Sequence, residues 1–322
     1  MNRINSAFIA VAIAASSHAI AQKQEAYPVK PIRLVVAFTP GGTPDTLARL
    51  VAPKISENWK QPVVIENRPG AGGTIASAIV AKAPPDGYTL LAHSNGFSIT
   101  AALTPNLPYD PLKDFMGVAS LGYSTTVLVV SPQLGVRSVK ELIALANAQP
   151  GKVFFGSAGA GSGTHFNSER FKLAAGIKAT HVAFKGQPEF ILEIVAGRVQ
   201  FGVAGLGPAM AHIKEGRLIP LAVVLPERAS TLPDVPAAPE VLPGWGRDGL
   251  SQVWLAPTGT PRSIVNRLNG EVARVLALPE VRERLQSYDF HVTRITPEEI
   301  DKQLRVDIAS FRKVGIAAGL VK

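Results

Sequence analysis

The sequence of 322 residues contains no cysteine, which excludes disulfide frameworks, thiolate zinc sites, iron–sulfur clusters and cysteine nucleophiles. Aromatic residues make up only 7% of the chain, too few to suggest a base-stacking surface or an aromatic sugar-binding cleft. Charged residues are also modest, at 18%, whereas hydrophobic residues reach 46%, a balance typical of a folded globular chain. The length suggests about two domains, each with its own core.

The N-terminal segment, residues 1–21, has the pattern of a secretory signal peptide. Arg3 supplies a positive charge before a short apolar run, and the segment ends in the small-x-small pattern Ala19-Ile20-Ala21. A membrane anchor is the alternative, but a membrane-spanning helix needs about 20 apolar residues, and this run is much shorter. We expect cleavage after Ala21 and an exported, soluble protein.

The net charge of +9 does not by itself indicate a nucleic-acid partner, because the Lys and Arg residues are scattered rather than clustered. The histidines show no H-x-x-x-H spacing, so we expect no metal site. The dinucleotide fingerprint and the Walker pattern both fail along the glycine-rich segments, so no cofactor is expected.

Apolar, β-branched runs alternate with helix-like segments, which predicts an α/β fold with two mainly parallel sheets flanked by helices. Strands are expected at residues 32–38, 63–67, 89–94, 125–131, 153–157, 180–184, 199–204, 220–225 and 252–256. Helices are expected at residues 44–59, 73–82, 138–148, 162–175, 188–196, 209–215, 261–276, 280–286 and 297–318.

A first glycine loop, Thr39-Pro40-Gly41-Gly42, follows a predicted buried strand and opens a predicted helix. Glycines allow a tight turn, and a helix N-terminus offers unpaired N–H groups and a partial positive charge. Together they predict an anion pocket that needs no basic side chain. Asp45, in the first helical turn, can cap the helix or fix the loop. A plain tight turn is the alternative.

A second glycine loop, residues 157–165, lies in the same strand-to-helix context and adds the polar side chains of Ser162, Thr164 and His165. Two such loops suggest a ligand held from two sides, outside the carboxyl ends of the strands. Catalysis by a Ser–His pair is the alternative, although the G-x-S-x-G nucleophile elbow is absent.

Short motifs along the whole predicted mature chain resemble the Bug family, the periplasmic solute receptors of tripartite tricarboxylate transporters. The segments that carry the resemblance are YP at 27–28, PIRLVV at 31–36, PGG at 40–42, VIENRPGAGG at 64–73, PDGYTLL at 85–91, PYD at 108–110, PGK at 150–152, SAGAGSGTH at 157–165, LPDVP at 232–236 and Gly259-Thr260-Pro261. Their order and spacing together are specific, although no single segment is diagnostic.

The resemblance implies a two-domain protein of the Venus flytrap type that binds a small carboxylate and does not transform it chemically. Domain 1 would comprise residues 22–126 and 252–322, and domain 2 residues 127–251. The ligand-binding residues would be Thr39, Gly41, Gly42, Asp45, Ser94, Gly159, Ser162, Gly163, Thr164, His165, Phe184 and Lys185. The partner would be the membrane permease of a tripartite transporter, and the free receptor would be a monomer.

Two alternatives stay open: an exported α/β hydrolase using His165 and a nearby serine, and a ligand sensor for a membrane kinase. The chain also departs from the family pattern, with Thr39 where proline is usual and no tryptophan near Ser251. A roomier site would suit a bulkier or aromatic carboxylate, whereas neutral drift would leave the site unchanged.

Overall fold

The computed structural model of the chain describes residues 27–246 and 249–321. The predicted signal peptide, residues 1–21, lies outside these ranges. Across the described ranges, strands and helices alternate and form two separate β-sheets, each covered by helices. None of the helices in this part of the chain is long and apolar enough to cross a membrane.

The first sheet contains six strands in the order β11-β4-β10-β3-β1-β2. These strands are β1 (Ile32–Val36), β2 (Val63–Asn67), β3 (Thr89–Ser94), β4 (Phe115–Ser124), β10 (Leu250–Pro257) and β11 (Phe290–His291). The helices that follow or precede them are α1 (Thr43–Trp59), α2 (Thr74–Ala81), α3 (Gly96–Leu103), α9 (Arg262–Leu276), α10 (Pro279–Ser287) and α11 (Pro297–Ala317).

The second sheet contains five strands in the order β7-β6-β8-β5-β9. These strands are β5 (Thr126–Val130), β6 (Phe154–Ser157), β7 (Thr180–Ala183), β8 (Phe201–Gly205) and β9 (Ile219–Val223). The helices of this part are α4 (Val139–Ala148), α5 (Gly163–Ala175), α6 (Gln187–Val195), α7 (Leu206–Lys214) and α8 (Ala238–Val241).

The two-sheet α/β architecture predicted from the sequence is confirmed, but the sheets are mixed rather than mainly parallel. β1 pairs in parallel with β2 and β3, whereas β10 runs antiparallel to β3 and β4. In the second sheet β6 is parallel to its neighbours, whereas β5 is antiparallel to both of its own. β5 and β10 each come directly after a point where the chain passes from one sheet to the other, and the short edge strand β11 is antiparallel to β4.

Each sheet has its own apolar core. Leu34, Leu47 and Trp254 belong to the core beside the first sheet, and Phe155 and Phe201 belong to the core of the second. All five are at most 2% exposed. These cores hold the strands rigidly, and the turns at the strand ends are therefore fixed in place for a binding site.

Candidate functional site

Loops at the strand ends of the two sheets touch each other. A Cβ atom built on Gly186, between β7 and α6, would lie 1.7 Å from Thr39 Oγ1 in the loop after β1. A Cβ on Gly72 would lie 2.3 Å from the carbonyl oxygen of Ala160, in the loop after β6. Glycine at these positions therefore lets the loops of the two sheets come into contact across a closed cleft.

A small cavity lies inside this closed cleft, and we refer to it as the cleft cavity. Its walls on the side of the first sheet are Phe38, Gly42, Pro44, Ser94, Leu250 and Gln252. Its walls on the side of the second sheet are Ala158, Ser162, Gly163, Thr164 and Gln187. None of these described residues carries a charge, so any interaction with an anion must come from neutral groups.

Ser162 and Thr164 form a hydroxyl pair at the N-terminus of α5, with their oxygens 3.1 Å apart. Ser162 Oγ also accepts a hydrogen bond from the His165 backbone N–H at 3.2 Å, and Thr164 Oγ1 accepts one from the Ala158 N–H at 2.9 Å. Each hydroxyl has a single proton, and the pair uses one of the two internally. The other proton remains for an acceptor in the cavity.

Gln187 adds an amide donor and also ties the two sheets together. Its Nε2 donates to Thr43 Oγ1 at 3.0 Å, across the cleft at the N-terminus of α1. Its Oε1 accepts from the Gly205 N–H at 2.6 Å, which fixes the orientation of the amide. A primary amide has two N–H groups, so a second one remains for a ligand. The Ser94 hydroxyl, which accepts from the Gly96 N–H at 3.2 Å, likewise keeps its own proton.

Asp45 holds the first glycine loop in shape. Its carboxylate accepts hydrogen bonds from the Gly41 N–H at 2.9 Å, from Arg49 Nε at 2.9 Å and from Asn67 Nδ2 at 2.8 Å. Burial by itself raises the pKa of Asp45, but the hydrogen bonds from Arg49, Gly41 and Asn67 outweigh it and lower the pKa below its usual value. Because the Gly41 N–H donates to the Asp45 carboxylate, Asp45 fixes the shape of the first glycine loop.

Two histidines, His165 buried and His181 half-buried, lie beside the second loop. The rings of His165 and His181 have centroids 4.1 Å apart, and His165 Nδ1 accepts from the Gly161 N–H at 3.3 Å. Burial, followed by the charges of His181 and Lys172, lowers the pKa of His165 to about 3. Burial, followed by the charge of Lys172, lowers the pKa of His181 to about 4. Both rings are therefore neutral at ordinary pH, and they orient the loop as uncharged hydrogen-bonding groups.

His165 and a nearby serine are not arranged as a catalytic serine–histidine pair. Ser162 Oγ accepts from the backbone N–H of His165, and the ring nitrogen Nδ1 faces Gly161 instead. Ser157 Oγ does lie 2.6 Å from His181 Nε2, but Ser157 is fully buried and does not line the cleft cavity. A substrate in the cavity would not reach either histidine.

Five of the twelve predicted site residues line the cleft cavity: Gly42, Ser94, Ser162, Gly163 and Thr164. The other seven lie around it. Thr39 and Gly41 lie in the first loop, and Asp45 lies in the first turn of α1. Gly159 lies in the loop after β6, His165 in the first turn of α5, and Phe184 and Lys185 between β7 and α6. Lys185 is exposed, and its backbone N–H donates to Glu189 Oε2 at 2.9 Å.

Sequence reasoning missed six lining residues: Phe38, Pro44, Ala158, Gln187, Leu250 and Gln252. Gln187 directly follows Gly186 and is the first residue of α6. The segment from β7 to α6 is a third strand–loop–helix turn, and this pattern is the sequence signal that could have identified Gln187. Gln252 lies within a strand, where an isolated amide gives no such signal.

Comparison with protein families gives a match to TctC, the tripartite tricarboxylate transporter family receptor, over residues 47–313. A UPF0065 protein in the tcbD-tcbE intergenic region of Pseudomonas sp. (strain P51) is 36% identical over 308 residues, which cover 95% of this chain and 91% of that protein.

Two solved structures share both sequence and fold with the chain. R. palustris Rpa4515 with adipate is 34% identical, with a TM-score of 0.87, over 91% of this chain and 98% of that one. MatC (Rpa3494) from Rhodopseudomonas palustris with bound malate is 32% identical, with a TM-score of 0.85, over 89% of this chain and 99% of that one.

Proposed function

Because the chain belongs to the tripartite tricarboxylate transporter receptor family, we propose that it is a periplasmic receptor that captures a small carboxylate between its two sheets and delivers it to a membrane permease. The observation that carries this proposal is the cleft cavity itself. It is closed by loops from both sheets and lined by neutral hydrogen-bond donors, with no charged side chain among its described walls.

Neutral donors can hold a carboxylate strongly inside such a cavity. The Ser162–Thr164 pair, Ser94 and Gln187 each keep a proton that is not needed for the fold. Hydrogen bonds to an ionised oxygen are roughly twice as strong as neutral ones, and they gain further strength when water is excluded. A ring of such donors replaces the lysine or arginine that an exposed site would use.

Opening and closing of the two domains explain how a ligand enters the cleft and is then held there. Domain 1 carries the first sheet and domain 2 the second. The expected boundaries, 22–126 with 252–322 and 127–251, lie within two residues of the starts of β5 at Thr126 and of β10 at Leu250. The chain crosses between them at Thr125, between β4 and β5, and again just before β10 begins at Leu250. Bending at these crossings opens the cleft, and a bound carboxylate favours the closed state by contacting both domains.

The protein binds its ligand and does not transform it. The buried positions of His165 and Ser157 support this, as does the receptor family to which the chain belongs. Relatives solved with adipate and with malate support a small carboxylate as the ligand. The receptor acts as a monomer, so that both domains remain free to contact the permease.

A thermal-shift screen over small carboxylates tests the proposal. A ligand present at about 100 times its dissociation constant should stabilise the folded state by roughly 2.7 kcal/mol. Ligand recovered after incubation should be chemically unchanged by mass spectrometry. Folded protein that no carboxylate stabilises would contradict the receptor assignment, and a chemically altered ligand would point to an enzyme.

A further inference from the structure

A second cavity, of about 60 Å³, lies next to the cleft cavity and shares Ser94 and Gln252 with it as common walls. We refer to it as the rear cavity. Its floor is the serine-rich end of β3 and β10, including Ser251, and its apolar side is formed by Ile300 and Leu304 of α11. A buried water molecule needs about 10–15 Å³, so the rear cavity has room for a small polar group such as a hydroxyl or an amino group.

Two buried acceptor atoms at this junction have no hydrogen-bond partner within the described chain. One is Gln252 Oε1, on a side chain that is 2% exposed, and the other is Asn95 Oδ1, on a residue that is 8% exposed. Gln252 Nε2 donates to the Leu250 carbonyl at 3.0 Å, which fixes the amide so that its oxygen is the unpaired atom. An unpaired buried acceptor destabilises the folded protein, and a donor on a ligand would remove that cost.

Positive charge is scarce around both cavities. No lysine or arginine occurs among the described residues that line them, and the charged residue in the rear wall is the acidic Asp307, whose Oδ1 accepts from Gln303 Nε2 at 2.7 Å. A second carboxylate in the rear cavity would face the oxygens of Gln252 and Asn95, and the described walls offer no cation to offset its desolvation. A hydroxyl or amino group would instead donate to those oxygens.

We propose that the rear cavity is a specificity subsite, in which Gln252 and Asn95 recognise a hydrogen-bond donor on the chain of the bound carboxylate. The preferred ligand is thus a hydroxy- or amino-carboxylate rather than a dicarboxylate. This inference rests on the proposed receptor function, because the cleft cavity must hold the carboxylate end.

Calorimetry with four ligands that share one carbon skeleton tests the inference: hexanoate, 6-hydroxyhexanoate, 6-aminohexanoate and adipate. The hydroxy or the amino compound should bind about tenfold or more tightly than hexanoate and adipate. The comparison of these two donors also identifies which of them the subsite prefers. A hydroxyl preference indicates neutral recognition by the two amide oxygens, and an amino preference indicates an added attraction to the acidic wall.

The variant Gln252→Leu should remove the preference for the donor-bearing ligand, measured as the ratio of its affinity to that of hexanoate for the same variant. Gln286→Leu makes the same chemical change on the exposed face of α10 and should leave all four affinities unchanged. Asn95→Leu provides an independent test should Gln252→Leu fold poorly, and it should reduce the same preference.

The outcomes separate the subsite from the receptor function. If hexanoate or adipate binds as tightly as the donor-bearing ligands, or if Gln252→Leu and Asn95→Leu both keep the preference, the subsite is wrong while the receptor function stands. If none of a broad set of carboxylates binds to folded protein, the receptor function fails and the subsite fails with it.

Discussion

A single methyl group at Gly186 should hold the two sheets apart. Gly186 has φ −167°, extended backbone that any residue adopts, so alanine introduces no backbone strain at this position. Its Cβ would lie 1.7 Å from Thr39 Oγ1 and 2.8 Å from Thr39 Cβ, whereas ordinary contact begins at 3.4 Å. Because the Thr39 Cβ cannot move away by side-chain rotation, the loops themselves must separate.

The cost of this separation falls on ligand binding rather than on folding. Overpacking of a tight contact costs about 1–3 kcal/mol, so Gly186→Ala should weaken carboxylate binding by about 5- to 150-fold. Calorimetry measures the affinity, and urea unfolding measures the stability, which should change by less than the binding energy. In Gly270→Ala the new Cβ meets nothing within 4 Å, so this matched control in α9 should bind normally.

A double mutant identifies the clash as the cause. Thr39→Gly removes every Thr39 atom that the new methyl group would touch, so adding Gly186→Ala to Thr39→Gly should change affinity very little. Wild-type affinity in the single variant Gly186→Ala would refute the reasoning, because it would mean that these loops do not meet in the ligand-bound protein.

Three further predictions concern the loops and their supports. Replacing both Ser162 and Thr164 with alanine should weaken binding by about 1–3 kcal/mol for each lost charge-assisted bond, and unchanged calorimetric affinity would exclude the pair from the site. Asp45→Ala should destabilise the first loop and lower the free energy of unfolding by about 1–3 kcal/mol, with faster amide exchange at Gly41; unaltered exchange would contradict the loop-fixing role. The folded-state pKa of His165, about 3, lies below its unfolded value of 6.5, so unfolding takes up a proton as the pH falls below 6.5 and stability is lost progressively. His165→Gln should reduce the slope of unfolding free energy between about pH 6 and pH 4 by up to about 1.4 kcal/mol per pH unit, and an unchanged slope would show that the ring titrates normally.

Local patterns predicted the turns of the site well, because each turn depends on adjacent residues. The buried run of β1 followed by Gly41 and Gly42, and the run of β6 followed by Gly159 and Gly161, identify where a strand ends and a helix begins. Ser162 at the N-cap of α5 confirms the start expected there, since its hydroxyl accepts from the backbone of the third helical residue.

Long-range packing explains why β4, one of the two strands that were not expected, was missed; the other is the two-residue β11. Gly117 and Gly122 interrupt the apolar pattern of β4, so the sequence at 115–124 did not indicate a strand. A Cβ on Gly117 would lie 2.6 Å from Ile300 Cβ, and one on Gly122 would lie 2.0 Å from the His291 carbonyl oxygen. These glycines leave room for α11 and β11, which come from a distant part of the chain and cannot be inferred from neighbouring residues.

Strand direction and the rear cavity were missed for a related reason. An apolar run shows that a strand is buried but not which way it runs, so the antiparallel placement of β10 was not predicted. Gln252 therefore gave no signal, because its position beside Ser94 follows only from the register of β10 against β3. The small residue at Ser251 suggested extra space, and the structure places that residue in the wall of the rear cavity.

The position of β10 sets the order in which the protein can be completed. All five strands of the second sheet lie between residues 126 and 223, whereas the first sheet needs residues 250–257 to join β3 to β4. A chain that ends before residue 250 can assemble the second sheet but leaves β3 and β4 with open edges. The first sheet, whose strands begin nearest the N-terminus, is thus completed after the second sheet.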